Sequence, residues 1–258
     1  MDKRIDFDAL PYALGAILLG IITLMVRDFA LTWQPVPADL PARVPLAITS
    51  GAILIAGGLT APWRGAGRAR LILPTFYALW VLALHIPNFA RTPNVGALLG
   101  VAEILSLAAA GIALSPPLLA QRPLRISARA LYGLCPLVFG LSHFVYAGFT
   151  AAMVPSWIPA KLLWAYFTGA AHVAAGLAIL TGVMARIAVP LLALMTGSFV
   201  LLLHMPRVAA APGDRLEWTM LAMAISIAGA AWLARRLLEP VATHEAVRDL
   251  SRADPIEV

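Results

Sequence analysis

The chain has 258 residues, 61% of them hydrophobic and only 12% charged, with a formal net charge of +6. Soluble domains carry about 25% charged residues, and a globule of this length could not hide so much apolar surface, so the composition excludes one and points to a polytopic helical membrane protein. Its Lys and Arg residues flank apolar runs instead of clustering, which is a pattern of membrane orientation and not of nucleic-acid binding; the expected partner is the lipid bilayer.

Eight apolar runs, free of Asp, Glu, Lys and Arg except for Glu103 in the fourth, give the candidate spans: 10–26, 45–62, 71–88, 95–115, 130–147, 162–181, 187–205 and 218–234. Each is roughly 17–21 residues, enough to cross about 30 Å of hydrocarbon at 1.5 Å per residue. Inside that layer only helices satisfy their own backbone groups, so all eight are read as α-helices. The first is expected to stay in the mature protein. Its flank "MDKRIDFD" mixes acids with bases, and no A-x-A-like cleavage site follows it. "WRGAGRAR" (63–70) reads as a topogenic turn in preference to a phosphate site. After the fifth run comes "GFTAAMVPSWIPAK" (148–161), where prolines flanking Trp157 predict a short structured segment at the membrane interface. Residues 237–258 read as a cytoplasmic tail in which His244 is solvated.

Eleven Lys and Arg residues fall on the amino-terminal side of the spans (Lys3, Arg4, Arg64, Arg68, Arg70, Arg122, Arg125, Arg129, Arg186, Arg235, Arg236), against six on the other (Arg27, Arg43, Arg91, Lys161, Arg207, Arg215). That asymmetry predicts both termini in the cytoplasm and residence in the bacterial inner membrane. The chain also reads as a duplication. "LHIPNFARTP" (84–93) and "LHMPRVAAAP" (203–212) match at five of ten positions, and "SGAILIAGGL" (50–59) parallels "TGAAHVAAGL" (168–177). "DFALTWQP" (28–35) likewise parallels "GFTAAMVP" (148–155). With offsets of 118–120 residues, the expected units are 1–120 and 121–236, four spans each in the same orientation.

The residues "GLSHF" (140–144), "MVPSWIP" (153–159) and "WAYFTGAAHVAAGLAIL" (164–180) make the second unit resemble the DoxX-like membrane proteins over about 75 residues, with the first unit a more degenerate copy. The resemblance implies a four-helix unit, in some members associated with quinone-linked sulfur oxidation or other redox complexes. His172 stands where that family often has an acid, and the matching polar positions of the first unit are Thr23 and Leu54.

Five ionisable groups lie in or at the edge of spans: His85, Glu103, His143, His172 and His204. Such groups are costly in hydrocarbon and usually face a bundle interior or a wet cavity. Gly133, Pro136, Gly140 and His143 recur at helical spacing, as do Ala165, Gly169, His172 and Gly176; Pro190, Ala193, Gly197, Leu201 and His204; and Gly96, Gly100 and Glu103. Small residues mark faces where membrane helices approach closely, so these groups should point at other helices. By rise per residue His204 and His143 lie near the outer end and His172 about 16 Å deep, with Glu103 at a similar depth. Three histidines on three helices thus predict a polar funnel.

The bland alternative is structural: His85 and His204 bonding carbonyls near prolines, His143 bonding a neighbouring helix or loop, and His172 and Glu103 pinning register. The functional alternatives are three. One is a redox-associated subunit binding a quinone through His143 and His172, with His204, Trp157 and Glu103 as further ligand-binding or proton-relay candidates. A second is a proton-coupled transporter built on His172 and Glu103. The third is a purely structural assembly subunit. A redox-enzyme partner subunit is expected under the first reading, which does not require the chain itself to be catalytic. Haem is not expected, nor a metal site: one cysteine, Cys135, excludes a cysteine cluster or a CxxC pair. No GxSxG, HExxH or Walker A sequence assigns a catalytic residue.

Overall fold

A computed structural model of the chain describes residues 4–238. The readings that fall on Lys3, His244 and the rest of the tail after residue 238 lie outside the described residues. Among those residues eight helices are long and apolar enough to cross a membrane, and there is no strand. They are α1 (Phe7–Val26), α2 (Arg43–Thr60), α3 (Arg64–Arg91), α4 (Val95–Leu114), α5 (Arg122–Val145), α6 (Lys161–Thr181), α7 (Ala185–Ala210) and α8 (Arg215–Leu237). The protein is an all-α polytopic membrane protein.

The helices run past the charge-free runs, because a charge ends an apolar run without ending a helix. α5 begins at Arg122, and its Arg129 reaches α6, donating from Nε to the Ile179 carbonyl (2.7 Å) and from Nη2 to that of Leu180 (3.2 Å). Those carbonyls have no partner within their own helix. α3 opens in tight turns around Gly67, whose φ of 56° is left-handed backbone that suits glycine. α3 and α7 each contain one π-helical turn, Val81–His85 and Val200–His204, unforeseen by the apolar pattern. Each precedes a proline, Pro87 or Pro206. A proline supplies no N–H and its ring crowds the carbonyl four residues back, and a widened turn is one way to relieve both.

The two halves repeat one another locally. Beside the π turns, Ala42 and Ala160 precede α2 and α6 in left-handed backbone, with φ of 55° and 52°. Asn94 and Asp214 cap α4 and α8 through their side chains. Consecutive helices pack on each other within each half; between halves α1 lies on α8, α5 on α4, and α4 on α8. Exchanging the halves maps this set onto itself. The boundary near residue 120 is therefore one of sequence repetition, while the apolar core runs through both halves and includes Tyr12, Leu54, Ile104, Tyr132, Ile179 and Met223.

Ion pairs fasten both ends. On the amino-terminal side Asp6, 2% exposed, receives Arg70 at 2.5 Å and both Nη atoms of Arg236 at 2.9 and 2.6 Å; Asp8 receives Arg235 and Arg236. The chain start is thus tied to the beginning of α3 and the end of α8. On the opposite side Asp28 takes Arg43 and Arg215, and Arg207 grips Glu217 through two hydrogen bonds. Burial by itself would raise the Asp6 carboxyl, but the hydrogen bonds and charges of Arg236 and Arg70 outweigh it and hold its pKa at about 2, below the ordinary 3.8.

A lowered folded-state pKa stabilises the fold above the ordinary value and ceases to do so as pH falls towards the folded value. Thermal unfolding of the wild type in detergent should therefore lose this contribution between about pH 4 and pH 2. Asp6→Ala leaves the buried Arg70 without its counter-charge and Arg236 with Asp8 alone, and should lower stability by ~3–5 kcal/mol at neutral pH, with a shallower acid dependence in that window.

Candidate functional site

His143 lies in the last turn of α5, and His172 sits mid-way along α6, 3% exposed. Glycines bring them together. A Cβ on Gly140 would stand 2.6 Å from the Gly169 carbonyl oxygen, and one on Gly169 only 2.9 Å from His143 Cβ. The backbones therefore touch where the sequence has no side chain, and the His143 ring passes over Gly169 to reach His172 one turn on. The two ring centroids are 5.2 Å apart, edge to face. Phe139 of α5 meets His172 at 5.5 Å, and Phe199 of α7 stands 6.4 Å from His143 and 6.3 Å from His172. Two imidazoles thus share a cage of two phenylalanines.

Their nitrogens differ. The Thr168 hydroxyl donates to the Trp164 carbonyl at 2.8 Å, so its oxygen is free to accept from His143 Nδ1 at 3.0 Å. The Ala165 carbonyl lies 3.3 Å from the same nitrogen. This network makes Nδ1 the donor of His143 and leaves Nε2 as the lone-pair nitrogen of the neutral ring. His172 Nδ1 is buried and has no partner. A buried polar nitrogen left unmatched destabilises the fold by about 1–3 kcal/mol. It is the kind of exception that points to a bound group or a function.

The other candidates lie elsewhere. His204 does not join the pair; its charged neighbours are Arg207 and Glu217, and its Nδ1 is buried without a partner. The predicted funnel of three histidines is a pair plus a separate residue: Gly197 and Leu201, which share the stripe of His204, line the groove against α8 and α1, whereas Phe199 meets the pair from another face of α7. Its counterpart His85 is satisfied, with Nε2 2.9 Å from the Trp33 carbonyl. That carbonyl comes from the 3-10 turn Leu31–Trp33, whereas the matching connection of the second half forms the helix Ala147–Met153. Glu103 stands beside the Trp33 indole, whose Nε1 makes no hydrogen bond of normal geometry. Glu103 and His172 do not meet: α4 and α6 both pack on α5, which stands between them. Trp157 is 72% exposed in the connection before α6. Cys135 is buried against Ala102 and Phe139 as a packing residue. Among the described residues no group of three or more His, Cys, Asp or Glu could hold a metal ion.

Residues missing from the sequence reading complete the site: Thr168, Phe139 and Phe199. Thr168 was legible in principle, one turn before His172 on the same face. Phe199 comes from α7, and nothing in its local sequence ties it to α5. Two apolar grooves run along α7. One, of about 310 Å³, lies between α6 and α7; the other, of about 420 Å³, lies against α8 and α1. No family model, no curated protein and no solved structure matches this chain.

The unmatched nitrogen sets an expectation about stability. His172→Leu should unfold at the same temperature as the wild type or higher, since it removes an unsatisfied polar atom. His85→Leu should lower stability by about 1–3 kcal/mol, because it strips the Trp33 carbonyl of its partner. Thermal unfolding of the three proteins side by side checks both.

Proposed function

We propose that this chain is a DoxX-like, redox-associated membrane subunit that binds a quinone-type head group at His143 and His172, with both termini in the cytoplasm and the helices in a bacterial inner membrane. The reading is carried by the contact of two imidazoles, one of them retaining an unpartnered nitrogen, inside a membrane helix pair. A quinone presents carbonyls that accept hydrogen bonds, and its reduced form presents hydroxyls that donate them. His143 Nε2 supplies an acceptor, and the unmatched nitrogen of His172 supplies either role according to its tautomer. The electrons would come from a redox-enzyme partner, which the chain would serve as a membrane subunit without itself being the oxidoreductase. The phenylalanine rings suit the flat, conjugated ring of such a head group.

The transport reading has less support, since Glu103 and His172 are held apart by α5. The purely structural reading leaves the unpartnered nitrogen of His172 without a purpose. In binding assays on detergent-solubilised protein, His143→Ala and His172→Ala should each weaken a quinone analogue by about tenfold or more, equivalent to ~1.4 kcal/mol, without unfolding the helices. Unchanged affinity in both variants would rule the site out.

A further inference from the structure

The groove between α6 and α7 is lined by Ala171, Ala174, Ala175 and Ala178 on one side and by residues such as Leu191 and Met195 on the other. Its volume of about 310 Å³ is at the lower end of ordinary ligand pockets, roughly 300–1,000 Å³. Alanines make it: four short side chains leave a trough where larger ones would meet α7. The groove is apolar, and Ala174, Met184 and Leu191 beside it are exposed, so in a bilayer it is open to lipid. What distinguishes it is where it ends. Ala188, Leu192, Met195 and Phe199 follow one another on one face of α7 at steps of four, three and four. Phe199 therefore stands one turn beyond Met195, the last groove-lining residue of α7, and Phe199 is the ring in contact with both histidines. On α6, Ala171 and Ala175 bracket His172 in the same way. The trough runs from Met184, on the amino-terminal side, to Ala171 and Met195, next in sequence to His172 and one helical turn before Phe199.

From this geometry we infer that the α6–α7 groove holds the hydrocarbon tail of the ligand whose head group sits at His143 and His172. The inference rests on the head-group reading above and narrows it. The ligand is a long-chain, membrane-dissolved amphiphile of the polyprenyl-quinone kind, reached from the bilayer on the amino-terminal side and not from water. α7 has only 22% of its apolar window covered by protein, the least of the eight helices, so lateral access beside it disturbs little packing. The second groove is equally apolar but lies on the other side of α7, against α8 and α1.

The test compares a decyl-substituted benzoquinone with the same ring lacking the tail, both titrated against the full chain in detergent. Wild type should bind both, the tailed probe more tightly. Ala174→Phe and Ala178→Phe fill the trough from its lipid-facing rim. Each should cost the tailed probe about tenfold in affinity, equivalent to roughly two buried methylene groups, and leave the tail-less probe unchanged, which also reports an intact fold. Gly197→Leu fills the other groove, where nothing lies within 4 Å of a Cβ built on Gly197, and should change neither probe. A tailed probe unaffected by both alanine substitutions would overturn the groove assignment while leaving the head-group site standing, as would loss of the tail's advantage in Gly197→Leu alone. Failure of wild type to bind either probe would overturn the head-group reading and this inference together.

Discussion

Helix α5 can lie directly on α6 because Gly140 and Gly169 put backbone against backbone, and the polar pair depends on that approach. Any side chain at either position would part the helices and withdraw His143 from His172. The first half makes the same contact: a Cβ on Gly20 would stand 2.7 Å from the Gly51 carbonyl oxygen. There the two polar positions hold Thr23 and Leu54. Thr23 turns its hydroxyl back onto the Leu19 carbonyl at 2.9 Å, and Leu54 is fully buried. The duplication thus supplies the geometry twice and the chemistry once. A hydroxyl satisfied by its own helix needs nothing from outside, whereas an imidazole has two nitrogens and a helix face rarely serves both.

The second organising feature is the placement of charge. Many of the arginines that mark helix ends in the sequence also hold the bundle together. Arg70, Arg235 and Arg236 gather on Asp6 and Asp8, Arg43 and Arg215 on Asp28, and Arg129 caps α6. These clamps join elements far apart in the chain, α3 and α8 to the chain start and α8 to the first connection. They fix the ends of helices whose flanks have only lipid to press against. α7 has little of this bracing in its middle, and it supplies Phe199 to the site and one wall of each groove.

Particular residues show how far the linear pattern reached. The eight spans were legible because hydrocarbon forces the backbone into helices and charges mark where they leave it. The glycine faces of α5 and α6 were legible from spacing, and with them the meeting of His143 and His172. The funnel through His204 was not, since spacing does not say which neighbour a stripe faces, and Gly197 and Leu201 of its stripe face α8 and α1. The pairing of Glu103 with His172 failed for a different reason: equal depth says nothing about which helix stands between.

By itself the sequence determined the number and approximate position of the membrane helices, their repetition, and which faces approach closely, because each is a consequence of local composition in an apolar solvent. Tertiary structure alone decided that the two halves interlock through α4 and α8, that Asp6 gathers distant arginines, and that Phe199 roofs the imidazole pair. Those outcomes turn on side chains more than a hundred residues apart in several cases or on neighbouring helices in others, and such contacts are selected by the packing of the whole bundle.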